Sequence, residues 1–127
     1  MTRLLVCGDR YWNDRSAIHS VLSTLKDEIS LVITGGATGA DTLAHQVALE
    51  LNLPTKVFPA DWAKYGRAAG PIRNRQMLTE GQPTCLLAFH NDLTTSRGTK
   101  NMILQAQKSH LSCWLYSQGN LNELPQL

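Results

Sequence analysis

Five short apolar runs recur along the chain, at Arg3–Cys7, Ser30–Thr34, Thr55–Phe58, Thr84–Phe89 and Leu111–Tyr116. They are continuous rather than alternating, and helix-period segments separate them. A strand that is apolar on both faces is buried on both, which means a parallel sheet with helices above and below it. Ile18, Val21, Leu22 and Leu25 share one face of a helix over 15–26 that Asn13 or Asp14 can cap. Leu43, Val47, Ala48 and Leu51 form the stripe of a second helix starting near Gly39. Pro71 suits the first turn of a third over 72–80, and Thr99 opens a fourth that reaches Lys108 or Ser109. The pattern predicts an α/β fold: a single-domain, Rossmann-like three-layer sandwich with a mostly parallel five-stranded sheet. Its 127 residues suit one domain, 1–127, with a weakly patterned tail from about residue 118.

Right-handed crossovers put every strand-to-helix loop at the carboxyl edge of such a sheet, where ligands of open α/β folds bind. Composition narrows what those loops could hold. Hydrophobic residues at 43% and charged residues at 17% fit a soluble domain. No apolar stretch is long enough to span a bilayer, and the N-terminus moves straight into a strand without a signal-peptide layout. Cys7, Cys85 and Cys113 lack metal-type spacing and sit in predicted strands as small hydrophobes, so a reducing, cytoplasmic setting is expected and no metal site. A net charge of only +2 means that any anion must be held by local placement.

Thr34-Gly35-Gly36-Ala37-Thr38-Gly39-Ala40-Asp41 follows a buried strand and opens a helix, the context of a phosphate loop. Its glycines let backbone amides approach an anion, and the helix start near Gly39 adds free N–H groups. A side chain at Gly36 is expected to block that approach while leaving the fold intact. No Lys-Ser or Lys-Thr follows, which excludes a Walker loop. A close-packed strand–helix turn is the plainer reading of the same residues. Asp41 suits a helix cap, a ribose contact or an acid–base group. Arg67, Arg73, Asn74 and Arg75 surround the Gly70-Pro71 helix start; Arg73 and Asn74 are placed in its first turn, where a cation is favoured only beside a bound anion. A solvated face with a salt bridge also accounts for them. Arg97-Gly98-Thr99 is a third anion-compatible helix start. The first loop, Gly8-Asp9-Arg10-Tyr11-Trp12, adds a carboxylate, a guanidinium and two aromatics that either pack or stack on a base.

These blocks, with Phe58-Pro59-Ala60-Asp61-Trp62, Gly66 to Arg75 and Ser96-Arg97-Gly98-Thr99, occur in an order that resembles the YspA-type, cpYpsA-related branch of the SLOG superfamily, named for its Smf/DprA and LOG members. The resemblance implies a nucleotide-binding Rossmann-like domain, frequent in phages and mobile elements. LOG enzymes hydrolyse a nucleoside monophosphate, and their motif ends in a glutamate. Here Gly98-Thr99 is kept, Thr95-Ser96 replace the glycine pair and Met102 holds the glutamate position. DprA-like members bind single-stranded DNA and carry a segment like Arg73-Asn74-Arg75. Other SLOG domains sense NAD-, ADP-ribose- or cyclic-nucleotide-type signals.

The expected ligand is therefore a nucleotide-type small molecule held by Gly8, Asp9, Arg10, Gly35, Gly36, Ala37, Gly39, Asp41, Arg73, Asn74, Arg97, Gly98 and Thr99. The protein is expected to act as a sensor or sequestering protein, with no cofactor and no membrane partner. Asp9 and Asp41 are the candidate catalytic groups should the ligand be hydrolysed. The resemblance also implies a homodimer. Nucleic acid is not the expected partner, because net charge is low and Arg73 and Arg75 face different sides of one helix.

Overall fold

A computed structural model describes residues 1–126. Strands β1 (Thr2–Gly8), β2 (Ile29–Thr34), β3 (Thr55–Val57), β4 (Cys85–Phe89), β5 (Ser112–Ser117) and β6 (Asn120–Glu123) form one sheet in the order β3-β2-β1-β4-β5-β6. Every neighbouring pair is parallel except β5 with β6. The sheet has six strands rather than five. The extra one lies in the stretch that carried weak pattern. Gln118 and Gly119, at φ 51° and 79°, form a two-residue hairpin turn that folds Asn120–Glu123 back along β5. All four residues of β6 are exposed, so no apolar period marks them; pairing with β5 defines the strand.

Four helices have eleven residues each: α1 (Arg15–Leu25), α2 (Ala40–Glu50), α4 (Ala69–Thr79) and α5 (Gly98–Lys108); α3 (Trp62–Tyr65) is a single turn. Asp14, rather than Asn13, caps α1 by accepting the Ala17 N–H at 3.1 Å. Helix α4 starts three residues before its predicted position, because α3 and a 3-10 turn over Gly66–Ala68 run directly into it. Arg73 and Asn74 consequently sit in its second turn, not its first, and the dipole argument for an anion beside them does not hold.

Consecutive strand residues enter opposite cores. Leu4, Val6, Val32, Leu87 and Phe89 pack with Ile18, Leu22 and Val47 of α1 and α2. Leu5, Cys7, Ile33, Leu86 and Ala88 pack with Met77, Met102 and Ile103 of α4 and α5. Two cores on one strand require an unbroken apolar run, the physical origin of the pattern in the sequence. Cys7 and Cys113 are buried, Cys85 is half-buried, and all three thiols are free. The β5–β6 hairpin brings no helix to the α1/α2 face, leaving an apolar groove of about 240 Å³ lined in part by Leu25, Leu87, Trp114 and Leu121. Among the described residues no helix is long and apolar enough to cross a membrane.

The strand order reverses between β1 and β4, which makes their carboxyl ends the switch point of the sheet. Backbone meets backbone there: Asp9 N–H donates to the Phe89 carbonyl at 2.9 Å, and a Cβ on Gly8 would collide with that carbonyl oxygen. Gly8→Ala is expected to cost about 2–3 kcal/mol of stability by forcing the two strand ends apart. Urea unfolding measures this, and a loss within error of zero would mean that the junction yields freely.

Candidate functional site

Three loops rise at the carboxyl edge around the switch point, over 9–14, 35–39 and 90–97. The second is packed against the first. A Cβ on Gly39 would strike the carbonyls of Asp9 and Arg10. Ala40 N–H donates to the Asp9 carbonyl at 3.1 Å, and Thr38 Oγ1 to that of Arg10 at 3.3 Å. Thr42 and Leu43 N–H groups are taken by the Ala37 and Gly39 carbonyls. Of the four N–H groups at the start of α2, that of Asp41 alone has no hydrogen-bond partner among the described residues. The free cradle expected near Gly39 is thus mostly filled by the protein itself. Gly36 also differs from expectation: its φ is 72° and a Cβ would lie 2.9 Å from Val57 Cγ1, so a side chain there strains the turn.

Asp41 is 5% exposed, and its Oδ2 accepts the Ala37 N–H at 3.2 Å. Burial pushes its carboxyl up to about 6, opposed by the N–H groups of Ala37 and Gly35 and by the Arg73 guanidinium. Arg73 reaches across from α4, with Nη1 donating to the Gly35 carbonyl and Nε donating to Asn74 Oδ1 at 3.0 Å. Asn74 Nδ2 donates to Asn101 Oδ1 at 3.0 Å and to the Gly98 carbonyl at 3.4 Å, and Gln105 Nε2 donates to the same Asn101 oxygen at 2.7 Å. A chain of hydrogen bonds therefore links the loop after β2, helix α4 and the start of α5. Asn74 is buried with both polar atoms engaged, which makes it a positioning residue rather than the ligand contact expected of it. Arg73 Nη2 has no hydrogen-bond partner among the described residues.

The start of α5 is more open. Ser96 Oγ accepts the Thr99 N–H at 3.0 Å and the Arg97 carbonyl accepts the Asn101 N–H at 2.9 Å, while the Gly98 and Lys100 N–H groups find no hydrogen-bond partner among the described residues. Its first turn carries no acidic residue, whereas Asp41 stands in that of α2. Exposed Arg97 and Lys100 flank it. This helix start combines two exposed cations with a first turn that holds no carboxylate, a combination that favours an anion. Met102, at the position where LOG enzymes have glutamate, is 1% exposed in the core.

On the α1/α2 side a cleft of about 300 Å³ opens between the loop after β1 and the β5–β6 hairpin, lined among others by Asp9, Tyr11, Trp12, Asp14, Asn91 and Tyr116. Trp12 is buried against Phe89 and Tyr116, with ring centroids 5.7 and 6.0 Å away, so it packs; Tyr11 is 79% exposed. Arg10 contributes its carbonyl, and its side chain is exposed. Asn91 and Tyr116 escaped the sequence reading because their place beside Asp9 depends on the hairpin after β5. His90, at the end of β4, is buried and accepts the Asp92 N–H on Nδ1 at 3.0 Å. Among the described residues no three His, Cys, Asp or Glu side chains stand close enough to hold a metal.

A family model described as "YspA, cpYpsA-related SLOG family" matches residues 2–65. Gene 61 protein of Mycobacterium phage D29 is 35% identical over 120 residues, covering 86% of this chain and 91% of that protein. DNA processing protein A (DprA) from Streptococcus pneumoniae has a solved structure that superposes with a TM-score of 0.72 at 17% identity, a likeness of fold. The match takes in 91% of this chain and 50% of the DprA chain, so this protein spans about half the length of that structure.

The buried carboxyl gives the fold a pH dependence. The Asp41 carboxyl is raised from 3.8 to about 6, so the folded state binds its proton more tightly than the unfolded chain does. Below the unfolded value the carboxyl is protonated in both states, and above about pH 6 folding carries the cost of ionising it. Its contribution to stability falls as pH rises through that window, by about 3 kcal/mol. Asp41→Asn should flatten the slope of urea-unfolding stability between pH 4 and 7; an unchanged slope would assign the dependence elsewhere.

Proposed function

The chain belongs to the YspA, cpYpsA-related SLOG family, and from that premise we propose that it binds a nucleotide or nucleotide-derived signal of the NAD, ADP-ribose or cyclic-nucleotide type, as a sensor or sequestering protein. One observation carries the reading: the start of α5 presents unpaired N–H groups at Gly98 and Lys100, with Arg97 and Lys100 beside them and no acid in the turn. The Arg73–Asn74–Asn101 chain ties that start to the glycine loop, so a phosphate there would meet a rigid frame, with Arg73 Nη2 free to join it. Gly35, Ala37, Gly39 and Asp41 then build the wall of the site, and Thr99 opens the helix that faces the anion. Binding rather than turnover fits the side chains: Met102 is buried where LOG enzymes have their glutamate, and the Asp41 carboxylate is turned onto the Ala37 N–H. A homodimer belongs to the same proposal; light scattering should return twice the chain mass of 14.0 kDa.

A panel of nucleotides tested by thermal unfolding decides the matter. A ligand at a hundred times its Kd adds about 2.7 kcal/mol, and the Arg97→Ala, Lys100→Ala double variant should lose that gain while its unliganded melting point holds, since both side chains are exposed. If no mono-, di- or cyclic nucleotide raises the melting point, the proposal fails. Chromatography of the same mixtures tests LOG-type hydrolysis: free base in excess over protein, abolished by Asp41→Asn, would make the protein an enzyme.

A second reading, single-stranded nucleic acid, is favoured by how the charge is distributed. Residues 56–75 hold five of the twelve basic and one of the ten acidic residues, a local +4 that leaves the rest of the chain at −2. The low net charge is therefore no argument against a basic surface. Trp62 and Tyr65 are exposed in this segment, at 60% and 41%, beside Lys64, Arg67 and Arg75. Arg73 is half-buried and bonded to Gly35 while Arg75 is exposed, so only one of that pair is available to a strand. Titration with labelled oligonucleotides at physiological salt is expected to show weak, salt-labile binding. Submicromolar affinity lost in a Trp62→Ala, Arg67→Ala variant would make nucleic acid the primary ligand.

A further inference from the structure

We infer that the cleft between the loop after β1 and the β5–β6 hairpin receives the base of the bound nucleotide and selects guanine. The inference rests on the nucleotide reading above and deepens it. Asp9 joins the cleft to the rest of the site: its carbonyl accepts the Ala40 N–H at the start of α2, while its side chain lines the cleft. A ligand that spans the switch point therefore passes Asp9.

The charge of the cleft determines which end of the ligand enters. Its acidic side chains are Asp9 and Asp14, and among the described residues that line it no Lys, Arg or His stands beside them. A phosphate is repelled from such walls, and hydrogen-bond donors are drawn to them. Asp9 Oδ1 accepts the Tyr11 N–H at 2.9 Å and keeps one lone pair, and its Oδ2 makes no hydrogen bond to the protein. The carboxylate can thus accept two parallel N–H groups. Of the standard bases, guanine alone presents two adjacent donors, N1–H and the 2-amino group, with no acceptor between them. Adenine and cytosine each set an acceptor nitrogen beside their amino group, which a carboxylate repels. Uracil flanks its single N–H with two carbonyls.

Shape agrees with this chemistry. The volume of about 300 Å³ lies at the small end of ligand sites and admits a purine. Tyr116 and the buried Trp12 form an aromatic wall, and Tyr11, 79% exposed on the rim, has a free ring face to lay on the base.

Calorimetric titration with GMP, GDP and cyclic GMP, each against its hypoxanthine, adenine and uracil counterpart, tests the inference. The guanine member of the preferred series should bind about tenfold tighter than the hypoxanthine one, which lacks the 2-amino group. Asp9→Asn should erase that margin and tighten binding of the adenine counterpart, because the amide NH2 group replaces an oxygen that repels adenine's ring nitrogen while the amide oxygen still accepts the Tyr11 N–H and preserves the turn. Tyr11→Ala, a change at an exposed site, should weaken all bases alike. Equal binding of all bases, or a guanine preference that survives Asp9→Asn, overturns the guanine assignment and leaves the nucleotide reading standing. Failure of every nucleotide to bind overturns both.

Discussion

The guanidinium of Arg73 lies between the Gly35 carbonyl and the Asn74 side chain, and most of the site's geometry depends on it. Gly35 leads out of β2, Arg73 and Asn74 belong to α4, and Asn101 belongs to α5, so three separate crossovers are held in one register by side-chain hydrogen bonds. Hydrogen bonds to a charged donor contribute about 1.5–3 kcal/mol each, and more is at stake if one partner is lost inside the protein. Asp41 adds to the same cluster. Its carboxyl is buried a few ångströms from where a Cβ of Gly35 would sit, which is why that position holds glycine. The thiol of Cys7 is pushed up by its own burial first and by the Asp41 charge second.

Around this frame the two sides of the sheet differ in electrostatic character. The α4/α5 side carries Arg73, Arg97 and Lys100 near unpaired N–H groups, whereas the cleft on the α1/α2 side is walled by carboxylates and aromatic rings. The positive charge over 56–75 is shared between two places: Arg73 belongs to the strand-end site, while Lys64, Arg67 and Arg75 are exposed from α3 into α4. Local placement governs here: a chain of net charge +2 carries a basic segment of local charge +4 and a cleft lined by two carboxylates on one small domain.

Much of this was legible in the chain. Continuous apolar runs gave five strands, because a central strand feeds two cores and has no face to leave polar. The glycine loop, the arginines and Gly98-Thr99 were recognised as strand-end features. Besides the sixth strand and the Asn91–Tyr116 side of the cleft, three features within the expected elements were missed. Helix α4 begins early because Trp62–Ala68, with its exposed aromatics and no apolar stripe, carries no helical period, yet it coils into the helix that follows. Asn74 was expected to contact the ligand, and it is buried because Asn101 and Gly98, more than twenty residues away, satisfy its amide. The N–H groups expected to be free near Gly39 are mostly taken: that of Ala40 by the Asp9 carbonyl, from the loop after β1, and those of Thr42 and Leu43 by the Ala37 and Gly39 carbonyls.

What the sequence determined by itself was everything set by local pattern: the number of central strands, the order of strands and helices, and which loops reach the carboxyl edge. Burial on two faces and the helical period act over a few residues, so they leave a record in the chain. Tertiary structure alone decided that Asn120–Glu123 is a strand, that Asn74 positions rather than binds, that the start of α5 stays open while that of α2 is filled, and that Asp9, Asn91 and Tyr116 enclose one cleft. Each of these depends on a polar group meeting a partner far along the chain, and a hydrogen bond has no periodicity by which such a partner could be read in advance.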